Sequence, residues 1–433
     1  MIFKEALRSL RNSMSKAVFF ALTFYITTAL LFVYFNMAEA ASTGPEVYVT
    51  NNNLADIIEL LSKGNISNLM MVFVVVMCAI DLFFCNDFFV KNKAKELAVR
   101  LICGATYIQM AMYLLIQTVL LMLVSIPFGI GTGYLMLGGL NAILAKSGAD
   151  IVVGISSFAM VEFWMVMLFV ISVITLLNCS FAYKSGAVLL SGGNIAAMKK
   201  QGGYGVTNTK IFQLLLNLAG IIAALFPLYG FFKGSGGLAI MALIGCVGLD
   251  RTINYVLLPA LTAYNRKRGT ADTVKAAANG FVRRDVQFSK ITVYLLIADL
   301  MVMMSMLFAR ENSPVEKLLI IFSYIAIAIL QSLTIMFRLE TDLSSRGKEY
   351  AILSQIGTET GMRHKIMHTE LRRYYLFVLL LVVIYVGMAL VSAAFTGGAT
   401  IGEVSLLGAS VIIPLIAVWL ITVLYYQTIL KKA

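Results

Sequence analysis

The chain has 433 residues, of which 60% are hydrophobic and only 13% charged, with a mean hydropathy of +0.88. Soluble domains are about 45–50% apolar and about 25% charged, so this composition excludes one and indicates an all-α, polytopic membrane protein. The net charge of +12 does not indicate nucleic acid, because the basic residues lie in short loops between apolar runs. Those runs are continuous and lack the alternation of a membrane β-barrel.

The chain opens on the amphipathic lead-in MIFKEALRSLRNSMSK, with no cleavable signal peptide expected before the first apolar run. Runs of about 20 apolar residues then predict ten spans. They cover 17–38, 67–90, 107–137, 157–181, 211–232, 237–262, 290–310, 317–338, 374–395 and 404–428. The third run contains SIPFGIGTG, where Pro127 with Gly129, Gly131 and Gly133 predicts a kink or the end of its straight portion. The outer loop 39–66 contains LADIIELLSK, expected as a short helix on the membrane surface. All but six of the 34 Lys and Arg residues fall on one side of this topology; the exceptions are Lys63, Lys146, Lys233, Arg310, Lys317 and Arg251. The positive-inside rule then places both termini in the cytoplasm.

Two cytoplasmic segments are related. Aligning Lys95 with Lys348 sets KELAVRLICG over KEYAILSQIG, with identity at Lys95/Lys348, Glu96/Glu349, Ala98/Ala351 and Gly104/Gly357, and Val99 facing Ile352. A basic lead-in ending in Ser15-Lys16 or Ser289-Lys290 precedes each four-span group. The chain therefore reads as a four-span unit (1–200), a two-span insert (201–270) and a second four-span unit (271–433). Within 91–104, Ala94, Leu97, Ala98, Leu101 and Ile102 form one apolar stripe at helical spacing, with Lys95, Glu96 and Arg100 off it. Such a helix is expected to lie along the inner membrane face, and Gly104 and Gly357 to turn the chain into the next span.

This arrangement resembles the FtsX-like permease family, the membrane subunits of MacB-type ABC systems. The resemblance rests on KAKELAVRLICGAT and RGKEYAILSQIGTE, each followed by a long span. Ten spans in a four–two–four order look most like the bacitracin- and lantibiotic-resistance permeases of Gram-positive bacteria. Those carry a large extracellular domain between spans seven and eight, where this chain has only RENSPVE (310–316). The resemblance implies two coupling helices, 91–104 and 344–357, on which a homodimeric ATPase docks through Lys95, Glu96, Ala98, Arg100, Gly104, Lys348, Glu349, Ala351 and Gly357. It also implies a multi-pass subunit of a bacterial plasma membrane, non-enzymatic itself, with ATP-Mg held by the partner and an amphipathic peptide as cargo. A signalling scaffold for a sensor histidine kinase, and a lipid or lipoprotein extractor, are the alternatives.

Other patterns weigh less. LLSGGN (189–194) resembles an ABC signature loop, but no G-x-x-x-x-G-K-[ST] accompanies it, and a linker is expected. His364 and His368, spaced i, i+4, lack the Glu of H-E-x-x-H and read as a solvated helix face. Cys78, Cys85, Cys103, Cys179 and Cys246 show no paired spacing and read as small buried hydrophobes. No metal site or nucleic-acid surface is expected. Asp81, Asp250, Arg251 and Asp299 fall within spans, where charge marks either an interhelical pair or a sensing site. One of the acids other than Asp250 is expected to neutralise Arg251. Methionines such as MVMMSM (301–306) read as lipid-facing or as packing filler, and Gly138, Gly139 and Gly154 as points of close helix approach.

Overall fold

The computed structural model describes residues 2–12, 14–42, 66–146, 152–190, 210–232, 238–268, 273–307, 314–355, 357–395 and 400–430. The described residues are helical apart from short turns. In chain order they form α1 (Ile2–Asn12), α2 (Met14–Ser42), α3 (Ile66–Ile102), α4 (Tyr107–Lys146), α5 (Ser157–Leu190), α6 (Lys210–Phe232) and α7 (Leu238–Thr252). A π-helical turn (Ile253–Leu257) leads into α8 (Leu258–Arg268), followed by α9 (Thr273–Leu307), α10 (Pro314–Gln355), α11 (Thr360–Phe395) and α12 (Ile401–Leu430). Eight of these are long and apolar enough to cross a bilayer: α2, α3, α4, α5, α9, α10, α11 and α12. The protein is therefore a multi-pass α-helical membrane protein. The two further expected spans fall on α6, with a shorter apolar stretch Leu215–Gly230, and on α7–α8. The 39–66 loop helix and the 189–209 linker lie almost wholly outside the described residues.

The chain divides into two compact units, one of residues 1–205 with 311–326 and the other of 206–310 with 327–433. In the first, α2 is the central helix, with 67% of its apolar window buried, and packs on α3, α4 and α5. Its contact with α4 is the broadest in the unit. There, a Cβ on Gly129 would sit 2.7 Å from Thr28 Cβ, and one on Gly133 2.7 Å from Phe32 Cδ1. This G-x-x-x-G pair lets the two helices approach, as small residues do where lipid supplies no hydrophobic drive. Gly129 and Gly133 therefore serve packing, whereas a Cβ on Gly131 would meet nothing within 4 Å, and α4 continues as helix to Lys146, past the expected end at 137. Gly138, Gly139 and Gly154 have open space where a Cβ would stand, so they mark no close approach. α5, with 22% of its window buried, is the peripheral helix. Its N-terminus is held by α2: the Ser156 amide donates to Asn36 Oδ1 (3.1 Å) and the Ala159 amide to Glu39 Oε2 (3.0 Å).

The second unit repeats the pattern. α9 is central (72% buried) and packs on α11, whereas α12 is peripheral (28% buried) and packs on α11. Met301, Met303 and Met304 are fully buried on α9, so the methionine run packs the core and does not face lipid. The residues read as an insert also belong here: α6 pairs with α7, α7 with α9, and α6 with α11. At Gly248 a Cβ would stand 2.3 Å from the Ala224 backbone nitrogen, so these two backbones touch. Tyr385 of α11 donates its hydroxyl to the Ala224 carbonyl at 2.5 Å.

Candidate functional site

The two charged segments are the last turns of long helices rather than separate helices. Residues 91–102 continue α3 without a break, and the 344–355 segment continues α10. The expectation of a helix lying along the membrane face is thereby corrected. At 1.5 Å per residue, the turns of α3 beyond Lys91 add about 16 Å to the span. A terminal extension of this kind needs no second nucleation, which explains why the sequence runs from apolar span to charged helix without a breaking residue.

Both extensions end in the same way. Gly104 (φ +88°) and Gly357 (φ +89°) are the only residues with positive φ among those described. After the first helix, the Gly104 amide bonds to Leu101 O and the Ala105 amide to Arg100 O, both at 3.0 Å; after the second, Thr358 N bonds to Leu353 O at 3.1 Å. The five-residue reach from amide to carbonyl is the Schellman closure, which requires a left-handed residue at the glycine position. Thr106 then caps α4, its side chain accepting from Gln109 N (3.4 Å) while Gln109 Oε1 accepts from Thr106 N (3.0 Å). The pair forms a T-x-x-Q capping box over the sequence TYIQ.

In the first unit Glu96 is the hub of a network joining three helices. Glu96 Oε2 accepts from Ser9 Oγ of α1 at 2.8 Å, and Glu96 Oε1 accepts from the Tyr113 hydroxyl of α4. Lys93 Nζ lies 2.7 Å from Ser9 Oγ and 3.3 Å from Glu96 Oε2. Arg100 reaches Glu5 Oε2 of α1 at 2.7 Å and Glu96 Oε1 at 3.5 Å, with its guanidinium carbon 4.0 Å from the Tyr113 ring centre. Deeper in, Gln117 Nε2 donates to Ala6 O at 3.2 Å. Lys93 has a side chain only 5% exposed, so its charge depends on these partners. Burial works to raise the Glu96 carboxyl, but Tyr113, Ser9 and Lys93 outweigh it and hold it below its ordinary value. Burial likewise pulls the Lys93 ammonium down, with Glu96 opposing. For Arg100, burial is outweighed by Glu5, Tyr113 and Glu96, which stabilise the charged form.

The structure thus joins Glu96, Arg100 and Gly104 at one turn, with Gly357 at its counterpart. The side chains of Lys95, Ala98, Lys348, Glu349 and Ala351 lie outside what is described. The apolar stripe divides: Leu97 is fully buried, whereas Ile102 is 78% exposed. Val99 and its aligned partner Ile352 are 60% and 53% exposed, and Ile108 just beyond the first turn is exposed as well. These exposed aliphatics were missed as site residues. For Val99 and Ile352 the signal was an aliphatic residue at the same aligned place in both segments, off the apolar stripe; Ile102 and Ile108 carried none.

The charges within spans have separate places. Asp81 is buried on α3. Asp299 accepts from Gln331 Nε2 at 2.8 Å. Asp250 pairs with Lys290 (2.6 Å) and accepts from Asn254 Nδ2 (3.0 Å), one turn on and inside the π-helical turn. Arg251 holds its guanidinium over the Tyr255 ring at 4.9 Å rather than against an acid. The unit is also tied by Asn86, Asn178 and Thr118, linking α3, α5 and α4 at 2.9 and 3.3 Å. Among the cysteines, Cys78 and Cys85 are buried as expected, but Cys103 is exposed beside Gly104. Among the described residues no group of three or more His, Cys, Asp or Glu side chains is placed to hold a metal.

The class defined by this fold is a multi-pass α-helical membrane protein. Comparison with models of known protein families finds no match, and comparison with curated proteins finds none either.

Proposed function

We propose that the chain is the permease subunit of an ABC transporter, with ten spans, both termini cytoplasmic, and two inner turns that receive a separate homodimeric ATPase. The observation that carries the reading is the pair of matched turns. Each is a charged extension of a spanning helix, closed by a left-handed glycine, with an exposed aliphatic residue at the same aligned place, Val99 or Ile352. A motor that closes on nucleotide needs a stiff handle rooted in the bilayer. A continuous helix from span to turn transmits displacement along its axis, and Glu96 ties α1 and α4 to that helix. Closure of the ATPase dimer would move the two turns and with them the four-span groups. An amphipathic or lipid-linked peptide, exported or dislodged from the membrane, is the cargo this reading favours.

Docking through an apolar face with a charged surround sets the test. Val99→Asp combined with Ile352→Asp is expected to abolish co-purification of the partner ATPase, with membrane insertion unchanged. Undiminished recovery of the ATPase with the double variant overturns docking at these turns.

A further inference from the structure

The first turns of α11 and the last turns of α12 enclose a cleft of about 380 Å³ inside the second unit. His364, Lys365, His368 and Arg372 line it from α11, and Trp419 and Val423 from α12; among the described residues no carboxylate lines it. Trp419 Nε1 is buried without a hydrogen-bond partner among the described residues. From this constellation we infer an anion-binding site that takes the phosphate of an anionic phospholipid at the membrane surface.

Three features favour a lipid over a soluble anion. The first is depth. From Leu376 to Phe395, α11 is continuously helical for 20 residues without a charged side chain, about 30 Å of rise and so about the thickness of the hydrocarbon core. With that uncharged stretch filling the hydrocarbon, Arg372 stands one turn outside it, at the level of the phosphates. The second is the surface beside it. Leu376, Leu380 and Val383 continue the Lys365–Arg372 face up α11 and are exposed, as are Ile416 and Leu420 on α12. The cleft thus opens at its apolar end onto side chains that acyl tails would cover. The third is the amphipathic wall: an indole with one polar atom and a wide apolar ring suits the interface.

The internal repeat supplies a control. Aligned through the turn glycines, His364, Lys365, His368 and Arg372 fall on Ala111, Met112, Leu115 and Val119. This run of positive side chains is therefore carried by α11 and not by its counterpart α4. Naming the leaflet as the inner one rests on the orientation proposed above; the binding chemistry does not.

Trp164 and Trp419 are the two tryptophans of the chain. In the full-length W164F chain, Trp419 becomes a single fluorescent reporter inside the cleft. The chain is reconstituted in phosphatidylcholine vesicles containing either brominated phosphatidylglycerol or brominated phosphatidylcholine. A basic side chain at an anionic surface contributes roughly fivefold in local lipid affinity, so Lys365 and Arg372 together predict a preference of about 25-fold for the anionic lipid. The expected result is stronger quenching by the brominated phosphatidylglycerol. That preference is lost in K365A/R372A and retained in R283A, whose exposed arginine lies outside the cleft. Equal quenching by both lipids overturns the inference. So does a response of Trp419 to inorganic phosphate in detergent without any lipid preference, because the site would then take a soluble anion. Because the vesicle assay needs no ATPase, its failure is separate from failure of the docking test.

Discussion

Tyr113 donates its hydroxyl to Glu96 Oε1 from the far side of the Gly104 turn, seventeen residues along the chain. The same carboxylate accepts from Ser9 of α1 with its other oxygen. One side chain therefore fixes both the angle of the turn and the place of the N-terminal helix. A hydrogen bond to a charged group contributes about 1.5–3 kcal/mol, with the lower end fitting a partly exposed carboxylate. Y113F is expected to lower stability in detergent by about 1.5 kcal/mol, and E96A by more, since E96A also removes the charged neighbour of Lys93. Thermal unfolding with trypsin cleavage in α1 as a second readout checks this. Equal behaviour of both variants and wild type would remove Glu96 from the joint.

Acid should loosen the same joint. The Glu96 carboxyl titrates below its ordinary 4.5 in the folded chain. A depressed carboxyl contributes stability above the unfolded value, and loses it as pH falls through the folded one. The contribution is therefore complete at neutral pH and declines once the pH drops below about 4.5. Wild type should lose more melting temperature than E96Q over that interval, the glutamine having no proton to take up. Parallel curves would show that Glu96 is not the titrating group.

The two turn glycines predict a matched pair of effects. An L-residue in the left-handed region costs about 1–2 kcal/mol, so G104A and G357A should each destabilise the chain by about that amount. G138A offers the contrast. Its Cβ meets nothing within 4 Å, and removing a helical glycine is expected to be neutral or to stabilise by up to about 1 kcal/mol. Detergent melts of the three variants are the measurement. A harmless G104A would mean the turn can close without its left-handed residue.

What the sequence made legible is what depends on local pattern. The apolar runs located the long helices, and the glycine that ends each charged segment was read correctly because a helix that stops without proline commonly needs a left-handed residue. Length was underestimated where polar residues continue a helix: α3, α9 and α10 each extend beyond their apolar run because Lys, Glu and Arg are good helix formers. Tertiary partners were not legible. Lys290 read as the start of a span, yet it is the partner of Asp250. Arg251 was expected to find an acid and instead found the ring one turn along its own helix. Gly129 and Gly133 read as a break because their meaning depends on Thr28 and Phe32, about 100 residues away in sequence.

Backbone contact between α6 and α7 makes Gly248 the most sensitive of the described glycines. A methyl there would overlap Ala224 N and the carbonyl carbon of Ala223, and main chain cannot rotate aside as a side chain can. Overpacking of this kind typically costs about 1–3 kcal/mol. G248A should separate the pair and weaken the hydrogen bond from Tyr385 to Ala224 O. The loss of melting temperature should exceed that of G129A, where the obstruction is a threonine side chain. The reverse order would mean that α6 and α7 are not in backbone contact at Gly248.

Orientation can be tested at Cys103, which is exposed at the first turn while Cys78 and Cys85 are buried. A membrane-impermeant maleimide should label the chain in inside-out vesicles and not in intact cells, and C103S should abolish the signal. A turn that receives a cytoplasmic ATPase must be reachable from that side alone. Labelling of intact cells at Cys103 would put the turn outside, reverse the orientation read from the Lys and Arg distribution, and end the case for a motor docking there. Adding the ATPase before the reagent extends the test, because a subunit seated on Val99 and Ile102 covers the residue next to Ile102. Protection of several fold is expected, and it should disappear when Val99 is replaced by Asp.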